Sequence, residues 1–199
     1  SIVFNDEYTG GNSGAASADI GDNATTGVKV ENATEADIVT NLGTNNLNNI
    51  IDTEDSGSFA IDLSFGKTID NLLVWERGMN SRLAIQALDG SGNLIGNKIQ
   101  LGSGSYQWNY AGYNIDTKEI GGAQQVGSFG VSIANDLGVS APISSLRFFS
   151  EASFNGPDWK FVGTDSTRHE NKDVPEPGLL LGLGMLGSVM LLKRQQILQ

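Results

Sequence analysis

From residue 58 onward the sequence is a series of short apolar runs, each closed by Gly, Asn, Asp or Pro, with no long amphipathic helix between them. In "SFAIDLSF", Phe59, Ile61, Leu63 and Phe65 alternate with Ser58, Ala60, Asp62 and Ser64, the period-two pattern of a half-buried strand. Gly66 and Lys67 supply the turn after it. "IDNLLVWERG" (69–78) is a second, more continuously apolar strand. "SRLAIQALD" (81–89) sets Leu83, Ile85 and Ala87 on one face, "DGSGN" (89–93) turns, and "LIGNKIQL" (94–101) returns, which is a β-hairpin. "YAGYNIDT" (110–117), "GSFGVSIA" (127–134), "ISSLRFFS" (143–150) and "DWKFVGTD" (158–165) complete the set. Strands so short and so closely punctuated predict an all-β fold over 1–164: an antiparallel β-sandwich of the jelly-roll, carbohydrate-binding-module-like kind.

The first 57 residues read differently. Clusters such as "YTGGNSGAAS" and "NLGTNNLNNI" hold turn formers and no sustained apolar period. "ATEADIVTNLG" (33–43) predicts one short helix closed by Gly43. This stretch carries ten acids against one base, Lys29, and the whole chain has a net charge of −11. Such a front repels phosphate backbones, so nucleic acid is not an expected partner. It serves solubility, or it attracts divalent cations. There is no Cys, which excludes a disulfide framework and thiolate metal sites. The chain begins with Ser1, which fits either removal of a leader or a fragment.

Residues 165–174 are polar and charged, as a linker would be. The tail, 175–199, is different again. Gly178 to Leu192 contains no charge and Lys193 and Arg194 follow at once. As a helix the run would measure about 22 Å, short against a hydrocarbon core of about 30 Å. It predicts a short C-terminal hydrophobic helix that suits a thin or thinned membrane, with the cations on the cytoplasmic side. A helix packed on the domain would instead need a polar face, and none is present.

Pro175-Glu176-Pro177, then the Gly/Leu-rich apolar stretch, then Lys193-Arg194, resembles the PEP-CTERM sorting signal. The resemblance implies that the tail holds an exported chain in the inner membrane. An exosortase, an integral-membrane Cys-protease-like transpeptidase, then recognises the Pro-Glu-Pro and processes it. Such proteins reach the cell surface or extracellular matrix of bacteria that make exopolysaccharide. The body resembles the exosortase-dependent surface proteins of cyanobacteria through "NLLVWERGMNSRLAIQALDGSGNLIGN", "AGYNIDTKEIGGAQQVGSFGVSIANDLGV" and "SFNGPDWKFVGTD", most of residues 45–165. That family brings no catalytic residues to carry over.

The residues themselves point away from catalysis. The single His, His169, lies in the linker, without the packing a nucleophile–base pair needs. Glu76, Glu119, Glu151 and Asp158 are acids a glycosidase would use, but no spacing makes a facing pair of them. Trp75-Glu76-Arg77 ends an apolar strand, so its charges lie at a sheet edge or find partners, to bind a polar ligand or to stitch a loop to the sandwich. In "YQWNYAGY" (106–113), Tyr106, Trp108 and Tyr110 share one face if the segment is extended. An exposed strip of rings beside Gly-rich loops would suit a glycan, and the same rings would equally serve as packing. Trp159 in "FNGPDWK" reads as core. "DGSGNLIG" spaces Asp89, Ser91 and Asn93 like an oxygen-ligand loop but has Leu94 and Gln100 where an EF-hand needs Gly and an acid, so a plain turn is expected. Asp52, Glu54 and Asp55 would suit Ca²⁺, although no cofactor is required.

These features predict an exported, non-enzymatic surface or matrix protein that contacts exopolysaccharide. A self-associating structural or adhesive module without a glycan ligand is the alternative, and an enzyme acting on polysaccharide is a lesser one.

Overall fold

The computed structural model describes residues 2–5, 17–19, 34–43, 50–53, 58–117 and 122–166 of the chain. Their elements are β1 (Ile2–Asn5), β2 (Ser17–Asp19), α1 (Glu35–Leu42), β3 (Ile50–Asp52), β4 (Phe59–Ile69), β5 (Asn71–Arg77), β6 (Leu83–Leu88), β7 (Leu94–Leu101), β8 (Asn109–Thr117), β9 (Gln124–Ser132), β10 (Ile143–Ser150) and β11 (Trp159–Thr164), with a 3-10 turn at Ala152–Phe154. Seven strands form one sheet in the order β1-β8-β9-β5-β11-β3-β2, and four form the other, β4-β10-β6-β7. All pairings are antiparallel except β1 with β8. The protein is the all-β sandwich that the strand pattern predicts.

The two layers meet over an aromatic centre. Phe148 of β10 stacks on Trp159 of β11 at 4.6 Å between centroids, and Phe161 lies 4.8 Å from Phe148. Phe65 of β4 meets Phe161 edge-on. Leu83, Ile85 and Ala87, the predicted face of β6, are wholly buried, as are Leu146 and Phe148 opposite them. Along β4 the period-two reading holds: Phe59, Ile61, Leu63 and Phe65 are half-buried while Ala60, Asp62 and Ser64 face solvent.

The hairpin of β6 and β7 closes as expected. The Asp89 carboxylate accepts from the N–H groups of Ser91 and Asn93, so the "DGSGN" acid is committed to its own turn. These bonds, with the Asn93 side chain, hold it below its ordinary value. Helix α1 starts with a capping box in which Thr34 and Asp37 bond to each other's backbone, and Gly43 ends it by donating to the Val39 carbonyl.

Two expectations change. Gly66 and Lys67 do not turn the chain: β4 runs through them, and the crossing to the other sheet falls at Asp70. Between Ser64, opposite Ser145, and Ile69, opposite Ile143, four residues of β4 face one of β10, so the strand bulges outward there. The front segment is not only loop, since β1, β2 and β3 lie within it, and β3 buries Ile50, Ile51 and Asp52. Just past β11, Ser166 donates to the Asp70 carboxylate through both its N–H and its hydroxyl, and from Thr167 the expected linker lies outside the described residues. The chain divides into two units, Ser1–Ser166 and Thr167–Gln199. The second lies outside the described residues, and so do the expected C-terminal helix and the sorting signal. Among the described residues no helix is long and apolar enough to cross a membrane.

Candidate functional site

The "WERG" segment belongs to β5, which sits between β9 and β11 in the seven-stranded sheet. Its charges are therefore central, and of the two expected outcomes it is the second that holds: they find partners. Register explains how two adjacent charges are both accommodated. Glu76 lies opposite Trp159 on the inner face. Arg77 donates its backbone N–H to the Asp158 carbonyl, and its side chain takes the other face, as neighbours in a strand must. Both are buried, at 1% and 4% exposure.

Arg77 sends Nε and Nη2 to Asp158 Oδ2, at 3.1 and 2.9 Å, and lies 3.9 Å from Asp52 Oδ2. Asp158 also accepts from the Thr53 N–H at 3.3 Å. A single guanidinium thus ties β5 to β3 and to the loop before β11. Glu76 takes a different partner. Its Oε2 accepts from the Met79 N–H at 2.7 Å, and among the described residues its Oε1 has no hydrogen-bond partner. Burial raises the Glu76 carboxyl well above its ordinary value, and the charge of Asp158 raises it further. The Met79 bond, the nearby Ser81 hydroxyl and the Arg77 charge oppose that rise and do not cancel it.

Two loops meet above this cluster. Met79 and Asn155, both non-glycine, hold φ of 58° and 62°. Ser81 Oγ donates to the Asn155 carbonyl at 2.6 Å, and Arg82 N–H to Phe154 at 2.9 Å. The Ser81 carbonyl in turn accepts from Trp108 Nε1 at 2.8 Å. A Cβ at Gly102 would stand 2.2 Å from that same carbonyl and 2.7 Å from the indole nitrogen, so only glycine fits.

The aromatic strip does not form. Residues 102–108 make a tight loop with a Ser103–Tyr106 bridge instead of extended strand. Trp108 is buried at 7% exposure and bonded to Ser81. Tyr106 is half-buried and packs edge-on against Phe129 at 5.6 Å. Of the three rings Tyr110 alone is exposed, at 49%, with its hydroxyl donating to Asn114 Oδ1 at 2.9 Å. Trp159 lies in the core, as read.

The remaining acids are dispersed. Glu151 is exposed and pairs with Lys98 at 3.2 Å. Asp52 faces Arg77, while Glu54, Asp55, Glu119 and His169 lie outside the described residues, as do Pro175, Glu176, Pro177, Lys193 and Arg194. Among the described residues no three His, Cys, Asp or Glu side chains are arranged to hold a metal. Sequence reasoning missed Asp158 as the partner of Arg77. Its only signal was an acid after Gly156-Pro157, one residue ahead of an apolar strand.

No known family model matches the chain, and no curated protein does. Among solved structures it is similar to the enzymatically active domain of tailspike protein 4 from bacteriophage CBA120, at 14% identity and a TM-score of 0.30. That likeness covers 58% of this chain and 15% of the other.

Proposed function

We propose that the chain is an exported, non-enzymatic surface or matrix protein, sorted by an exosortase through its tail and touching extracellular polysaccharide through its sandwich. The observation that carries this reading is the order of Pro175-Glu176-Pro177, an uncharged run from Gly178 to Leu192, and Lys193-Arg194. A role in binding, not hydrolysis, is supported by where the sandwich spends its acids. Asp158 is committed to Arg77, and Glu76 is buried beneath Met79. The ring presented to a glycan is Tyr110, with Asn114 beside it.

Replacement of Pro175, Glu176 and Pro177 by Ala in the host tests the sorting step. The expected result is retention of the chain in the inner membrane, while the unaltered protein reaches the surface with a new C-terminus by mass spectrometry. A surface protein that still ends at Gln199 and ignores the replacement overturns it. Binding of the full chain to the host's exopolysaccharide, with calcium and with chelator, tests the glycan contact. Tyr110→Ala is expected to weaken it by about tenfold, and calcium dependence would bring in the acidic front.

One observation favours the self-associating alternative. Leu73 and Val162 face each other across β5 and β11 at 39% and 40% exposure, an apolar pair at the centre of the seven-stranded sheet. Sedimentation decides it: a concentration-dependent dimer abolished by Leu73→Lys supports self-association, and a persistent monomer removes it.

A further inference from the structure

The flank of the sandwich where β4 bulges holds a groove of about 510 Å³, within the range of small-molecule sites. Leu63, Phe65 and Ile69 of β4 and Phe161 of β11 line one side of it, and Val39 and Leu42 of α1 line it as well. The bulge carries residues 65–68 away from β10, and Gly66 and Gly163 add no side chain to the walls. Val39 remains 61% exposed, an apolar side chain bordering open space. Among the described lining residues the one charge is Lys67.

We propose that this groove binds a small amphiphile, an aliphatic body with a carboxylate head, the body against Phe65, Ile69 and Phe161 and the head at Lys67. The walls offer an apolar chain burial and offer a sugar few hydrogen-bond partners, so this site differs from the glycan contact and does not depend on it. Lys67, the one cation among the described residues that line this apolar groove, selects an anionic head there over a cationic one. The concave shape, with α1 along it, fits a single free molecule better than the flat surface of a bilayer.

The test is titration of the full chain with a fluorescent fatty acid below its micelle concentration, and in parallel with neutral phospholipid vesicles. Saturable binding of the free acid at one site is expected. A Cβ on Gly66 meets nothing within 4 Å and the backbone there is not left-handed, so Gly66→Trp sets a large side chain at the groove's lining without strain. It should reduce affinity at least about tenfold with the melting temperature unchanged. Val39→Glu, at a solvent-open position, provides a second block should the tryptophan disturb folding. Lys67→Glu should weaken the acid and leave the matching fatty alcohol unaffected. Absence of saturable binding, unchanged affinity in both blocking variants, equal loss of acid and alcohol in Lys67→Glu, or binding to vesicles alone each overturns the proposal.

Discussion

Glu76 and Lys160 are both buried in the seven-stranded sheet, and their titrations pull stability in opposite directions. The folded protein holds a proton on Glu76 well above 4.5, where the unfolded chain has already released its own. Its contribution is fully present below 4.5 and is lost as pH rises through the raised folded value. Glu76→Gln keeps the shape without the charge. Its denaturation midpoint should fall less as pH rises above 4.5 than that of the unaltered protein. For Lys160, burial lowers the value from 10.5 to about 8. The unfolded chain then binds more protons between those two values, so stability should rise with pH across them. Lys160→Met should abolish that rise in urea titrations over the same range. Arg77 presents a harder dependence. Arg77→Met leaves Asp158 and Asp52 facing each other without the guanidinium, and a loss of about 3–5 kcal/mol is expected in chemical unfolding. The sequence marked Glu76 and Arg77 as unusual because charge ends an apolar strand. It did not show their partners, because Asp158 lies 81 residues beyond Arg77 and pairing at that range depends on strand order.

Strands were legible where apolar alternation and turn residues agree. β4, β5, the β6–β7 hairpin, β10 and β11 all fall where their patterns place them. The failures have physical causes. Gly66-Lys67 looks like a turn because a bulge and a turn use the same residues, and the pairing partner decides between them. β3 is three residues long, too short to show a period. Tyr106, Trp108 and Tyr110 share a face only in extended backbone, and the left-handed glycines at 102 and 104 break it. That loop yields a test at its own scale. Gly102→Ala requires φ of 79° and presses a methyl group on the Ser81 carbonyl. It should cost more than about 1 kcal/mol and red-shift Trp108 fluorescence as the indole loses its acceptor.

The whole sandwich is joined through Trp159, which belongs to one sheet and stacks on Phe148 of the other. Trp159→Ala opens a cavity at this junction. It should lower stability by about 3–5 kcal/mol in equilibrium unfolding, with fluorescence and circular dichroism still changing together. The attachment of Ser166 to Asp70 has a mechanical consequence. Tension applied to the chain beyond Ser166 is not passed to β11 at once. It meets the Asp70 clamp first. Past that it loads β11, which is laddered to β5 at six positions and to β3 at Trp159 alone. A tethered protein of this build would give way in two steps, a small yield at the corner and then release of β11 from β5.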